Sequence, residues 1–175
     1  MLRNLFRSRP IRHVGDPLYA HAVQQARQAD FYTTFGVDDR IDARFELYTL
    51  HVLLLILRLR DEGKAGAEAA QSLFDVYVSA LDNTLRELGV GDISMSKKMR
   101  KLGESLYGRM TAYEAPIRAG DAEALAKPLA RNVYGSDDAA VAVPLARYAL
   151  AARASLATQS QDQVVAGPTW PEIKP

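Results

Sequence analysis

The sequence predicts an all-α fold, and three observations carry that expectation. Apolar residues recur at steps of three and four along every long segment. No stretch alternates with a period of two, and helix-start and helix-stop residues punctuate the chain throughout. The cleanest run is Met95, Met99, Leu102, Leu106, Met110, Tyr113 and Ile117, whose steps of 4, 3, 4, 4, 3 and 4 keep one apolar stripe on one helix face. The expected architecture is a compact single-domain bundle of about six to seven helices with an extended C-terminal tail.

Composition sets the frame. At 175 residues the chain is about one domain, since domains run to ~150 residues. Hydrophobic residues make up 48% and charged residues 25%, values near globular averages that exclude a disordered or collagenous chain. Cysteine is absent. That excludes a disulfide scaffold, thiolate metal sites, iron–sulfur clusters and a cysteine nucleophile. Lys and Arg number 22 against 21 Asp and Glu, so no global field points to DNA or to an acidic partner.

Residues 1–15 form a basic segment with Arg3, Arg7, Arg9 and Arg12 and no acid before Asp16. It lacks the unbroken apolar stretch of ~7–15 residues of a secretory signal. As a short helix, Leu2, Leu5 and Phe6 share a face opposite Arg3 and Arg7, a pattern suited to an anionic membrane surface or a partner. The alternative is a frayed basic tail.

The helical domain is expected over 16–158. Asp16 reads as an N-cap with Pro17 at the first helical position, opening a helix through Leu18, Tyr19, Ala22, Val23 and Ala26 to about Ala29. Phe31, Tyr32 and Phe35 make a short aromatic turn or helix closed by Gly36. Asp38-Asp39 is read as the start of the next helix, which runs through Phe45, Leu47, Tyr48, Leu50 and the apolar run Val52–Leu57 to about Leu59. It is hydrophobic on most sides and therefore central, and its apolar run is too short for the roughly 20 residues of a membrane span. Spacing alone leaves open whether that run is all core or lines a groove for a partner helix.

A polar loop is expected from Asp61 to Gly66, then a helix from about Ala67 to Leu88 stopped by Gly89. Gly89-Val90-Gly91-Asp92 reads as a tight loop, with Ser94 or Ser96 capping the Met95–Ile117 helix. Gly120-Asp121 ends that helix and caps a shorter one carrying Leu125, Leu129 and Val133. Ser136-Asp137-Asp138 opens a last helix through Val141, Leu145, Tyr148, Ala152 and Leu156, with Pro144 either bending it or delaying its start. From about Gln159 the pattern dissolves into a tail, 159–175, with Trp170 placed to strap back over the domain.

Catalytic chemistry is sparse. His13, His21 and His51 share no metal-ligand spacing, and His51 reads best as a hydrogen-bonded core histidine. Ser94-Met95-Ser96-Lys97 matches S-x-x-K, but without S-D-N and K-T-G the serines are better read as helix caps. Gly89-x-Gly91 follows a helix and lacks the third glycine of a nucleotide loop. No catalytic residue, metal site or cofactor is expected. What remains is charge: Asp92–Arg109 holds five bases, Lys97, Lys98, Arg100, Lys101 and Arg109, against two acids. With the apolar stripe inward, these cations are expected to project together, either as a solvated face or as a contact for an acidic protein segment, ribosomal RNA or lipid headgroups.

Motif order then adds a family. Leu18-Tyr19, Gln25-Ala26-Arg27, Phe31-Tyr32, Gly36-Val37 and Ala43-Arg44-Phe45-Glu46-Leu47 are followed by Leu73-Phe74-Asp75 and by Leu85-Arg86-Glu87-Leu88-Gly89-Val90-Gly91-Asp92. Lys97-Lys98-Met99, Tyr107-Gly108-Arg109 and Leu129-Ala130-Arg131-Asn132-Val133-Tyr134 complete the series. In this order the chain resembles the ubiquinol–cytochrome c chaperone family over about Asp16 to Leu150. It departs from the pattern at Val37-Asp38-Asp39, at Ala43, and near Ser96.

The resemblance implies an assembly chaperone, not an enzyme. Such a protein binds newly made cytochrome b and supports its haem acquisition and its entry into the ubiquinol–cytochrome c reductase complex. The mitochondrial relative works with a small partner near the ribosomal tunnel exit. A bacterial member is expected to be peripheral, at the cytoplasmic face of the inner membrane. The matching positions put the partner surface at Arg44, Phe45, Arg86, Gly89, Gly91, Asp92, Lys97, Lys98, Lys101, Tyr107, Gly108 and Arg109. Two rivals stand beside it: a ribosome- or RNA-binding module using the basic helix 94–118, and an enzyme with an inter-helix pocket using His51 or Tyr48.

Overall fold

The computed structural model describes residues 14–87 and 92–174, with only the backbone described at 92–96 and 98. The expected partner residues Gly89 and Gly91 and the membrane candidates Leu2, Arg3, Leu5, Phe6 and Arg7 lie outside the described residues, as do the side chains of Asp92 and Lys98.

Among the described residues the chain is all-α. The elements are α1 (Gly15–Ala26), α2 (Asp30–Thr33), α3 (Ile41–Arg60), α4 (Gly63–Glu87), α5 (Asp92–Ala119), α6 (Ala122–Leu129), α7 (Val143–Ala157) and α8 (Gln161–Ala166). A π-helical turn (Ala130–Tyr134) and a 3-10 turn (Ala139–Ala142) connect α6 to α7. The first seven helices are those the periodicity predicts.

α3 is the axis. Every residue from 49 to 59 is buried, and helices α1, α4, α5 and α7 all pack on it. The run Val52–Leu57 is therefore entirely core and forms no part of a groove. Each fully buried Leu contributes ~1.5–3 kcal/mol relative to exposure, so this helix dominates the stability of the domain. Its one buried arginine, Arg58, serves α7: Nε donates to the Leu156 carbonyl in the last turn (2.8 Å) and a terminal nitrogen to the Gln159 carbonyl just past it (2.5 Å), satisfying acceptors at the helix end. Arg58 also pairs with Glu62.

Tertiary contacts move several element starts. α1 begins at Gly15 with Val14, not Asp16, at the cap position. Gly15 lies so close to α4 that an added Cβ would sit 2.4 Å from the Ser72 carbonyl oxygen. α3 begins at Ile41 after an extended Arg40, so Asp38 and Asp39 precede it and pair instead with Arg40 (3.1 Å) and Arg44 (2.6 Å). The loop expected over Asp61–Gly66 shrinks to Asp61 and Glu62. Gly63 makes the reversal at φ 72°, and Gly66 lies inside α4 against the Leu59 carbonyl.

Ser94 and Ser96 lie within α5, which starts at Asp92, and so do not cap it. Gly120 (φ 69°) and Asp121, whose carboxylate accepts from the Ala124 N–H, make the α5–α6 junction as expected. Pro128 has no N–H to donate to the preceding turn, and α6 loosens into the π-helical turn. Pro144 delays the last long helix: Asp138 caps the 3-10 turn and α7 then starts at Val143.

The tail is not wholly extended. Ser160 and Gln163 form a capping box that builds α8, a local signal the apolar pattern does not carry. Beyond it the chain straps back as expected. The Gln159 side chain both donates to the Thr169 carbonyl (2.9 Å) and accepts its N–H (2.8 Å). Trp170 then lies edge-on to His51 at 5.2 Å between ring centroids. None of the described helices is long and apolar enough to cross a membrane.

Candidate functional site

The stripe on α5 is buried along only part of its length. Leu106, Tyr113 and Ile117 are in the core, whereas Met99, Leu102 and Met110 are half-buried. Where the first half of α5 stands off, a groove of about 620 Å³ opens. Its walls are Leu81 and Leu85 of α4, Leu102 of α5, Tyr19 of α1, and Ile41, Phe45 and Tyr48 from the start of α3. Ile41 is 71% exposed, an apolar lip that the fold leaves uncovered.

Glu46 and Arg109 lie in this groove as an ion pair. Glu46 is only 3% exposed, and both of its oxygens accept from Arg109 Nε (2.6 and 2.7 Å), with a terminal nitrogen 2.5 Å away. Arg109 also donates to Ser105, and its guanidinium carbon lies 5.4 Å from the centroid of the Phe45 ring. Burial pushes the Glu46 carboxyl above its usual range, and the Arg109 hydrogen bonds pull against that shift. Beneath the pair, Phe45 stacks on Tyr77 (6.4 Å). Thr49 donates to the Phe45 carbonyl (2.9 Å), so the Tyr77 hydroxyl donates to Thr49 Oγ1 (2.7 Å). The floor is buried and its polar atoms are matched.

The residues expected at a partner surface divide into three sets. Arg44, Phe45 and Arg109 line the groove, Arg44 with its Asp39 partner at the mouth. Lys97, Lys101, Tyr107 and Gly108 are exposed along α5, Tyr107 at 75%. Arg86 is exposed on α4 and pairs with Asp82 (2.8 Å). Arg109 thus leaves the outward basic face to which its charge assigns it, because the buried Glu46 carboxylate draws it inward. Lys97, Arg100 and Lys101 remain on that face.

Sequence reasoning did not single out Tyr19, Arg27, Ile41, Glu46, Leu85 or Leu102 as site residues. Leu102 belongs to the Met95–Ile117 stripe and Leu85 to the helix expected over Ala67–Leu88, and spacing does not show that the apolar faces of two helices fail to close on each other. Glu46 did carry a signal: an acid three residues before Thr49 and four before Leu50 shares their inward face.

His51 is the hydrogen-bonded core residue expected. Its Nδ1–H donates to the Leu47 carbonyl (2.7 Å), and Nε2 accepts from the Tyr148 hydroxyl (3.0 Å), which in turn accepts from Gln25 (3.0 Å). Burial holds its pKa down at about 4. Tyr48, the other acid–base candidate, accepts from Arg27 Nε (2.8 Å). Among the described residues no group of three or more His, Asp or Glu is placed to hold a metal ion.

Fold and site together define a helical domain with a solid central helix and an open, apolar groove on one flank. The chain belongs to the Ubiquinol-cytochrome C chaperone family, whose profile matches residues 33–170. It is similar to the Cbp3 homolog from Brucella abortus in its crystal structure, at 35% identity and a TM-score of 0.82, covering 91% of this chain and 90% of that one. It is also similar to Ubiquinol-cytochrome-c reductase complex assembly factor 1 of Xenopus laevis, 22% identical over 116 residues, which are 66% of this chain and 58% of that protein. The corresponding Mus musculus protein is 21% identical over 117 residues, 67% of this chain and 39% of that one. The chain therefore matches about 58% and 39% of the lengths of these two relatives.

Proposed function

We propose that this protein is an assembly chaperone of the ubiquinol–cytochrome c reductase complex and that it holds newly made cytochrome b through the groove between α1, α3, α4 and α5. The single observation that carries the reading is the groove itself. A fold that buries residues 49–59 of its central helix completely leaves Ile41 at the start of that helix, and Leu85 and Leu102 beside it, without full cover on one flank. A half-open apolar trough on a buried, hydrogen-bonded floor suits an amphipathic or membrane-destined helix held before assembly. Family membership supports a client belonging to the ubiquinol–cytochrome c reductase complex. The exposed Lys97, Arg100 and Lys101 supply a separate basic face for anionic headgroups or ribosomal RNA. This supports a peripheral position at the cytoplasmic side of the inner membrane, close to where a client emerges.

The test is affinity capture from detergent-solubilised membranes of the native host, read by mass spectrometry. Wild type is expected to recover cytochrome b, and Leu102→Asp to lose at least ten-fold of that recovery while still melting cooperatively. Equal recovery by the variant removes the groove from the mechanism. Reversing Lys97, Lys98 and Lys101 to Glu tests the basic face separately: its expected effect is lost membrane or ribosome association with the groove intact.

A further inference from the structure

The C-terminal strap is held on the domain by side chains that grip its backbone. Among the described residues, 168–174 belong to no helix and make no backbone–backbone hydrogen bond. Side chains at the end of α7 take that role. The Gln159 carboxamide meets both backbone groups of Thr169, donating to its carbonyl (2.9 Å) and accepting its N–H (2.8 Å), and Ser155 Oγ donates to the same carbonyl (2.9 Å). A carboxamide that matches the N–H and C=O of one residue reads backbone and not side chain, so it accepts any extended segment.

Selectivity enters one residue later. The Trp170 indole rests edge-on against His51 (5.2 Å), over an aromatic floor in which His51 meets Phe31 at 5.3 Å and Tyr148 at 5.7 Å. Pro168 and Pro171 flank the clamped pair of residues. Proline fixes its own φ near −65° and turns the residue before it away from helix, which favours an extended pair. The seating is incomplete. An open cleft of about 440 Å³ is lined by Gln25, Gln28 and Asp30 together with strap residues 170–174. Another of about 330 Å³ is lined by Gln159 and Gln163 together with Gly167 and Thr169. Glu172 pairs with Lys174 inside the strap, so among the described residues no charge ties the strap to the domain.

We infer that the surface beneath the strap is a peptide-binding site occupied in cis, and that it exchanges the strap for an extended partner segment in which an indole is followed by proline. The occupant it holds defines the chemistry of the occupant it takes: a backbone N–H and C=O for Gln159, a flat aromatic ring for His51, and no charge. None of Ser155, Gln159, His51 and Trp170 lines the groove between α1, α3, α4 and α5, so this second contact goes beyond the client reading and does not depend on it. Because the strap is tethered, it competes at an effective concentration of about millimolar. Wild type is therefore closed to weak peptides and opens to a partner that adds contacts in the flanking clefts.

The probe is a fluorescein-labelled peptide with the sequence of residues 167–174, titrated by anisotropy against the full chain. Trp170→Ala, whose own strap has lost its anchor, is expected to bind the peptide at least about ten-fold more tightly than wild type. The same peptide with alanine in place of its tryptophan is expected not to bind. Gln159→Ala, added to Trp170→Ala, is expected to weaken binding by about ten-fold through the loss of two hydrogen bonds. A second measurement uses wild type alone and decides the matter if Trp170→Ala does not fold. Trp170 is the only tryptophan in the chain, so 5-fluorotryptophan gives a single fluorine NMR resonance. Unlabelled peptide at ~10 mM, above the effective concentration of the tether, is expected to move that resonance toward its position in the urea-unfolded chain. No binding by a Trp170→Ala protein that melts cooperatively, binding indifferent to the tryptophan of the peptide or to Gln159, or a fluorine resonance that stays in place would each overturn the inference. A wild type that sediments as a dimer and becomes a monomer in Trp170→Ala would also overturn it, by making the strap of a second copy the occupant.

Discussion

Arg109→Met tests the ion pair at the base of the groove. Glu46 is 3% exposed and both its oxygens accept from Arg109, so the substitution leaves a buried carboxylate without a counter-charge. Breaking a buried pair from one side typically costs about 3–5 kcal/mol. The side chain has an escape, which is to take up a proton. With an unfolded-state carboxyl pKa of about 4.3, protonation costs roughly 3.7 kcal/mol at pH 7 and about 1 kcal/mol at pH 5. The expected loss, read as variant minus wild type at each pH by urea unfolding, is therefore about 3–4 kcal/mol at pH 7. It should fall to about 1–2 kcal/mol at pH 5. The double variant Glu46→Leu/Arg109→Met should recover most of the stability and remove the pH dependence, since an apolar pair of similar volume has no charge to desolvate. An Arg109→Met loss below 1 kcal/mol at pH 7, or the same loss at both pH values, would show that Glu46 is solvated and would refute the buried-pair account.

Further outcomes follow from the same structure. His51 has a pKa near 4 in the fold and about 6.5 when unfolded. The unfolded chain therefore takes the proton first, and stability falls as pH drops through 6.5 and levels off below 4. Between pH 7 and 5 wild type should lose ~2 kcal/mol from this group, and His51→Gln should show a correspondingly flatter profile in denaturant titrations. Gly66→Ala would bring a Cβ to 2.0 Å from the Leu59 carbonyl oxygen and 2.7 Å from Glu62 Cβ, so a loss of several kcal/mol or failure to fold is expected on thermal melting. At Gly108, an exposed helical position where a Cβ meets nothing, Ala should instead stabilise by roughly 0.5–1 kcal/mol. Trp170→Ala should uncover the His51 edge. A rise of the His51 pKa toward 6.5, read by NMR titration, is the expected sign that the strap seals the core, and an unchanged pKa would argue against it.

The core was legible because its signal is local. Seven helices follow from apolar spacing, and the central position of α3 follows from its being apolar on nearly every side. Element starts were less legible because partners distant in sequence set them. Gly15 against Ser72 and Gly66 against Leu59 are contacts that neither capping residues nor periodicity announce. The tail helix escaped for the opposite reason: Ser160 and Gln163 are a local signal, but α8 is only six residues long and buries only Val164 fully. Of the candidate partner surface, Lys97, Lys101 and Tyr107 face outward as the stripe on α5 requires.

Arg109 is the instructive exception, because two rules disagreed over it. Its charge argued for the outer face. Its position, three residues after Leu106 and four before Tyr113, places it on the inward one. Glu46 stands in the same conflict on α3, and two opposite charges on inward faces of neighbouring helices are each other's resolution. Apolar side chains at both positions would fill the space at lower desolvation cost. What a guanidinium–carboxylate fork supplies instead is fixed geometry between α3 and α5. That geometry lies where the α5 stripe leaves the core: Leu106 is buried and Leu102, one turn earlier, is not. A floor with a defined span is what an open groove requires if it is not to collapse on its own apolar walls, and this ties a pair that apolar side chains could replace without loss of stability to the surface proposed to hold a client.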